Sequence, residues 1–345
     1  MGIGIFILIS LVKTAIAVFV LLTAVAYSVW LERKVVGHMQ NRWGPTRVGP
    51  FGLLQPLADG IKFILKEDLT PPYVNKTLYI AAPMIAVVCA LTSIAVIPIG
   101  NWITIGGVST PLEITDLNIG LLIILGVTSM GVYGIALAGW SSNSKYSLLG
   151  SLRASAQMVS YEIALGLSLI GVLIGSGSFS LRAIVDAQAG TYFGFIPRWN
   201  IFQGQFVAFF IYLMAAFAET NRVPFDLPEA ETELVAGYHT EYSAMKFAMF
   251  FMAEYANMIT VSCVASLLFL GGWHGWVFGP PILQAVLPIF WFVLRVLAFL
   301  FLYIWIRGTL PRFRYDQLMN FGWRFLFPLA IANLVITALI VALKS

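Results

Sequence analysis

Residues 219–241 read Glu-Thr-Asn-Arg-Val-Pro-Phe-Asp-Leu-Pro-Glu-Ala-Glu-Thr-Glu-Leu-Val-Ala-Gly-Tyr-His-Thr-Glu, with strongly apolar runs on both sides. Apolar runs of about 18 residues or more, nearly free of charge, are built for hydrocarbon. The polar stretch between them is then a connection where membrane segments end. It holds six carboxylates and one arginine. Crowded carboxylates repel one another, which raises their affinity for protons. The cluster points to proton handling or coupling rather than to simple solvation.

The rest of the chain agrees. Its 345 residues are 59% hydrophobic and only 10% charged, and the mean hydropathy is +0.88. A soluble domain carries about 25% charged residues. The pattern indicates an all-α integral membrane protein. A β-barrel is disfavoured, because the runs are continuous rather than alternating. The spacing predicts about eight transmembrane helices, near 3–31, 78–100, 118–140, 157–176, 204–221, 242–271, 282–306 and 322–343. No repeat, low-complexity tract or charged linker divides the chain, so residues 1–345 read as a single polytopic domain. No positive residue precedes the first apolar run, whereas Arg33 and Lys34 follow it. That order fits a retained helix rather than a cleaved signal.

Cys89 and Cys263 sit inside apolar runs, as small buried hydrophobes do. His38, His239 and His274 show no ligand spacing. No metal, cluster or haem site is expected on this chain.

Fourteen of the twenty Lys and Arg fall in the connections after the first, third, fifth and seventh spans. The opposite side holds Arg182, Arg198 and Lys344, while Lys13, Lys246 and Arg295 fall inside spans. The positive-inside rule then places the basic connections in the cytoplasm and both termini outside. The opposite connection 177–203 is expected to hold a short helix, capped by Ser180 and stopped at Gly190. In 51–66, Gln55, Asp59, Lys62 and Lys66 share one helical face, and Leu54, Leu57, Ala58, Ile61, Ile64 and Leu65 the other. This is the pattern of a short amphipathic helix in the membrane interface, or of one docked on protein.

Several groups carry chemistry. Lys13, Glu162, Glu219, Glu254 and Arg295 lie within or at the ends of spans, where an unpaired charge costs about 2.5–3.5 kcal/mol. Glu219 and Arg222, three apart, can simply pair, and the stem of Lys13 can snorkel. Asp226-Leu227-Pro228-Glu229 has the form of a helix start, with Gly237 as the stop. Glu229 and Glu233 would share one face, with Glu231 pointing elsewhere. A solvated acidic face would carry lysines nearby, yet only Arg222 precedes it and Lys246 follows. Arg42 and Arg47 sit in a loop rich in Gly-Pro, suited to lipid phosphate or to partner carboxylates. Arg312 and Arg314 mark a basic turn of the same kind. Tyr161, beside Glu162, can relay a proton or can only pack.

Five segments occur in one order: Glu32-Arg33-Lys34, Gly52-Leu53-Leu54-Gln55-Pro56-Leu57-Ala58-Asp59-Gly60, Ser160-Tyr161-Glu162, Val223-Pro224-Phe225-Asp226-Leu227-Pro228-Glu229-Ala230-Glu231 and Arg307-Gly308-Thr309-Leu310-Pro311-Arg312. As an ordered set they resemble the H subunit of NADH:quinone oxidoreductase, respiratory complex I. The resemblance implies a membrane subunit that closes one side of a quinone chamber and couples quinone reduction to proton translocation. It implies an enzyme only as part of a complex, with quinone as substrate and with flavin and iron–sulfur clusters on partner subunits. Its expected partners are the soluble quinone-site and iron–sulfur subunits, neighbouring membrane subunits and lipids, and no nucleic acid. The expected location is the bacterial inner membrane, equivalent to the inner mitochondrial membrane. By motif position, Arg33, Asp59, Glu67, Arg222, Phe225, Glu229, Glu231 and Glu233 would line or approach the chamber and its mouth. Glu162, Glu219, Glu254 and Tyr161 would form the proton path. Arg42, Arg47, Arg312 and Arg314 would dock partners. Two other readings share the intramembrane acids or the anchoring role: a stand-alone cation/proton transporter, and the equivalent subunit of a membrane-bound hydrogenase.

Overall fold

In hydrocarbon every backbone N–H and C=O has to find its partner within its own segment, so the apolar runs become helices. The structure is a computed structural model that describes residues 3–105, 108–192, 196–226 and 236–344. In chain order its helices are α1 (Ile3–Met39), α2 (Gln55–Leu65), α3 (Lys76–Ser93), α4 (Gly120–Ser141), α5 (Lys145–Ser176), α6 (Leu181–Ala187), α7 (Phe206–Glu219), α8 (Ala244–Phe269), α9 (Pro281–Thr309), α10 (Tyr315–Phe321) and α11 (Phe327–Lys344). A π-helical turn, Gly322–Leu326, joins α10 to α11. Among the described residues seven helical stretches are long and apolar enough to cross a membrane: α1, α3, α4, α5, α8, α9 and the α10–α11 run. The expected span 204–221 is shorter than a crossing. α7 has 14 residues, about 21 Å of rise against a hydrocarbon core of about 30 Å.

Other elements differ from their sequence outlines. α1 continues past Arg33 and Lys34 to Met39. α5 begins at Lys145, not at 157, because Ser147, Gly150, Ser151, Ala154 and Gln157 are buried against protein, and a polar helix can persist there. The α3–α4 connection holds an antiparallel hairpin, β1 (Gly100–Ile105) with β2 (Val108–Leu112), that the hydropathy did not announce. α6 starts as expected, with Ser180 Oγ accepting from the Ala183 N–H at 3.4 Å. It ends at Ala187, before Gly190.

The core lies where α3, α4, α5, α7 and α8 pack together. Alanines and serines let these helices approach: Ala82, Ala138, Ala154, Ala215 and Ser168 are fully buried. Gly150 is required by contact, since a Cβ there would lie 2.7 Å from the Cα of Gly237. α1 stands at the edge, packed on α8 and α9 and leaving Leu11, Ile16 and Phe19 open. α2 buries none of its residues. Its polar edge is clasped to α1, and Leu57, Ile61, Ile64 and Leu65 face outward. The amphipathic helix expected over 51–66 is thus present, tied to protein along its polar edge and with its apolar face exposed.

Candidate functional site at the break after α7

α7 stops inside the protein. Asn221 takes a left-handed conformation (φ 51°), which asparagine tolerates better than most residues. The chain then runs unwound and buried through Asp226. Irregular backbone at that depth is stable only if its polar groups are satisfied by protein. Gln157 of α5, fully buried, supplies the donors: its Nε2 reaches the carbonyls of Ala218 and Phe225, each at 2.8 Å. From the other side the Phe313 N–H donates to the Pro224 carbonyl at 3.1 Å. Arg312 Nη2 meets Asp226 Oδ2 at 2.9 Å, and Asp226 is nearly sealed from solvent. Phe225, buried, packs its ring against Tyr161 (5.6 Å) and Phe313 (5.7 Å).

The break presents Arg222 to a buried group of charges. Arg222 Nε lies 3.0 Å from Glu254 Oε1 on α8, and its Nη1 lies 3.4 Å from Glu32 Oε2 on α1. Arg307 of α9 bonds Glu32 Oε1. The Tyr255 hydroxyl donates to Glu32 Oε2 at 2.8 Å, and the Arg222 guanidinium sits 4.1 Å above the Tyr255 ring. Two carboxylates and two guanidiniums balance, as buried charge requires. The sequence offered Glu219 as a partner for Arg222. The structure pairs Arg222 with carboxylates from two other helices, which no local spacing reveals.

Glu219 ends α7, with Thr128 of α4 as a hydrogen-bonding neighbour and Glu162 of α5 as an electrostatic one. Glu219, Glu254, Asn221, Asn257, Thr220 and Tyr238 line one cavity of about 30 Å³. A cavity of that size has room for about one or two waters. Carboxylates from α7 and α8 thus share a small cavity beside the charge cluster, and the cavity's other walls, among them Ile135, Met158 and Phe250, are apolar. Tyr161 does not bond Glu162; its hydroxyl donates to the Leu318 carbonyl at 2.8 Å.

Nearer the surface Arg33 Nη1 and Asp59 Oδ2 meet at 2.6 Å, and Gln55 donates to the other Asp59 oxygen at 3.0 Å. This clasp fastens the start of α2 to α1, and Glu32 is the adjoining residue. Glu67 is exposed just beyond α2. Arg42, exposed, bonds Gln40 and lines an open depression with His38, Asn41 and Trp43. Arg47 is also exposed, and Arg314 faces its own Asp316 at 3.8 Å. Glu229, Glu231 and Glu233, with the helix start expected at 226–229, lie outside the described residues, apart from Asp226 itself. Among the described residues no group of three or more His, Cys, Asp or Glu could hold a metal ion.

Sequence reasoning assigned no role to Glu32, Tyr255 or Arg307. Glu32 could have been found as a carboxylate at the end of a long apolar run, and Arg307 as its counterpart on another. Tyr255 carried no signal of its own.

The family described as NADH dehydrogenase matches residues 12–338. An NADH-quinone oxidoreductase H subunit of Koribacter versatilis is 73% identical over 99% of both chains. One from Solibacter usitatus is 55% identical over 98% of both, and one from Protochlamydia amoebophila 51% over 92% of both.

Proposed function

The chain belongs to the family of H subunits of NADH-quinone oxidoreductase, and from that premise we propose that it walls a quinone chamber and transmits quinone reduction to intramembrane carboxylates. The observation that carries this reading is Arg222. It stands in an unwound segment and joins Glu32, beside the α2 clasp, to Glu254, beside the Glu219 cavity.

The chemistry follows from charge. A quinone takes up electrons and protons as it is reduced, and the electrons reach it from flavin and iron–sulfur clusters on partner subunits. In a poorly hydrated chamber each change of charge is weakly screened. Neighbouring carboxylates respond by changing proton occupancy, because their titrations are coupled. Arg33 and Asp59 stand at the chamber mouth under α2, and Glu67 beyond it. Phe225 and Arg222 approach the quinone head, and the acids Glu229, Glu231 and Glu233 are assigned to the same chamber by motif position alone. Glu219, Glu162 and Glu254 carry the response into the bilayer, and Tyr161 braces the break. Arg42, Arg47 and Arg314 meet partner subunits or lipid headgroups, with Arg312 holding Asp226 as well. The basic side faces the cytoplasm of a bacterial inner membrane, and both termini lie on the other side, with α7 and the unwound residues 220–226 together making the eighth crossing.

The test is Glu219→Gln in the assembled complex. Quinone reduction and proton transport should fall together, while electron delivery to an artificial acceptor that bypasses quinone stays normal. Full coupled turnover in assembled enzyme contradicts the reading.

A further inference from the structure

The strap of chain from α2 to α3, residues 66–75, lies along the turn that precedes α8. Leu69 is held there by one side chain at both backbone groups: its N–H donates to Ser243 Oγ at 3.0 Å, and Ser243 Oγ donates to its carbonyl at 3.3 Å. Lys246 Nζ bridges Asp68 Oδ2 at 2.9 Å and Thr70 Oγ1 at 2.8 Å. The Tyr73 hydroxyl donates to Glu241 Oε2 at 2.9 Å. The Tyr79 hydroxyl, just past the strap, donates to the Glu241 carbonyl at 2.6 Å. Tyr242 stacks on Tyr79 with ring centres 4.1 Å apart and donates to the Tyr79 carbonyl at 3.2 Å.

These bonds join two segments that the functional reading treats separately. The strap begins at the end of α2, the interfacial helix. The segment from Glu241 to Lys246 is where the acid-rich connection ends and α8 begins. α2 buries no residue, so core packing does not fix its position. Its first turns are set by the Arg33–Asp59 clasp, and Phe63 leans on Phe247 at 6.4 Å. Its last turn leads directly into the strap. Leu69 and Tyr73 are more than half exposed, so residues 66–73 of the strap are held mainly by polar bonds, and apolar burial enters only at Val74. Burial pushes the Tyr242 hydroxyl up to about 12, which keeps it a neutral donor at any working pH.

We propose that Asp68 and Lys246, with Tyr73 and Glu241, are positioning residues that make the end of α2 and the exit of the acidic connection one moving body. A shift of α2 as a quinone passes is then delivered to the exit of the acidic connection at Glu241, without travelling through α1. The proposal rests on the reading that α2 borders the quinone mouth.

Charge exchange tests it in the assembled complex. Asp68→Lys and Lys246→Asp should each raise KM for a long-tailed quinone about threefold, in keeping with a partly exposed ion pair. Neither should change electron delivery to an acceptor that bypasses quinone. The double exchange should return KM toward the parent value, and Lys246→Arg should keep it. Unchanged KM in both singles, or a double no better than the worse single, overturns the proposal. A second pair guards against simple misfolding. Leu69→Cys with Ser243→Cys, oxidised to a disulfide, should turn over as fast as when reduced, because a single body loses nothing by being tied together. Turnover that stops on oxidation and returns on reduction shows the segments parting, and overturns it. Glu219→Gln, measured alongside, separates the two failures. If it retains coupled turnover, the functional reading falls and this proposal with it. If it loses coupled turnover while the exchanges have no effect, the strap alone is refuted.

Discussion

Arg222 Nε and Glu254 Oε1 lie 3.0 Å apart, on side chains only 5% and 11% exposed. The contact ties an unwound segment to the middle of a membrane-spanning helix. Both groups have left water, so their attraction is strong and the loss of either one is costly.

Arg222→Met should therefore destabilise the break after α7 by about 3–5 kcal/mol, because Glu254 and Glu32 would each lose a buried partner. Arg222→Lys should recover only part of this, since an ammonium cannot span both carboxylates in the same fork. Thermal unfolding of the purified complex, followed by release of this subunit, reads both.

The Arg33–Asp59 clasp is of another kind. The arginine side chain is 49% exposed, and such pairs contribute about 0.2–1 kcal/mol. Asp59→Asn should leave assembly intact and raise KM for long-tailed quinone only a few-fold. The difference from the parent should shrink as salt is added. A salt-independent effect would show that Asp59 acts by some route other than this pair.

Gly150→Ala should displace the turn at Gly237, whose Cα would lie 2.7 Å from the new Cβ. Overpacking of this kind costs about 1–3 kcal/mol. The turn follows directly on the acidic connection, so turnover should drop more than the yield of assembled complex. Steady-state kinetics on equal amounts of assembled enzyme measures this, and unchanged turnover would mean the turn adjusts freely.

The opposite side carries two pH responses of opposite sign. Burial lowers His274 below its ordinary value of 6.5, although Asp186, 3.8 Å away, pulls it up. Its neutral form is favoured when folded, so its contribution is present above pH 6.5 and is lost on acidification through the lowered value. Burial raises Glu113, with Arg182 opposing. Its protonated form is favoured when folded, so that contribution is present below the ordinary value of 4.5 and is lost as pH rises through the raised one. Hydrogen exchange, corrected for intrinsic rates, should show residues 271–275 loosening in acid. Hairpin β1–β2, which runs into Glu113, should tighten there. Parallel responses would contradict the assignment of these two groups.

The membrane class was legible because hydropathy reports burial in lipid directly, and the interfacial α2 because its two faces differ at helical spacing. The intramembrane acids were legible because a carboxylate in an apolar run is expensive and conspicuous. The start of α5 was not, since Lys145 and Arg153 resemble a connection until the protein around Ser147 and Gln157 is known. The β1–β2 hairpin was hidden in an apolar stretch that continues α3 in composition. Least legible were the partners: Glu32 meets Arg222 and Arg307 across 190 and 275 residues, distances no local pattern spans.

The central claim is that Glu219 changes its protonation in response to quinone reduction in the chamber. The most direct measurement is the redox-triggered infrared difference spectrum of the assembled, membrane-embedded enzyme, for the parent and for Glu219→Gln. The account predicts a carboxyl band in the parent that accompanies quinone reduction and is missing from the variant. Identical spectra from the two would contradict it.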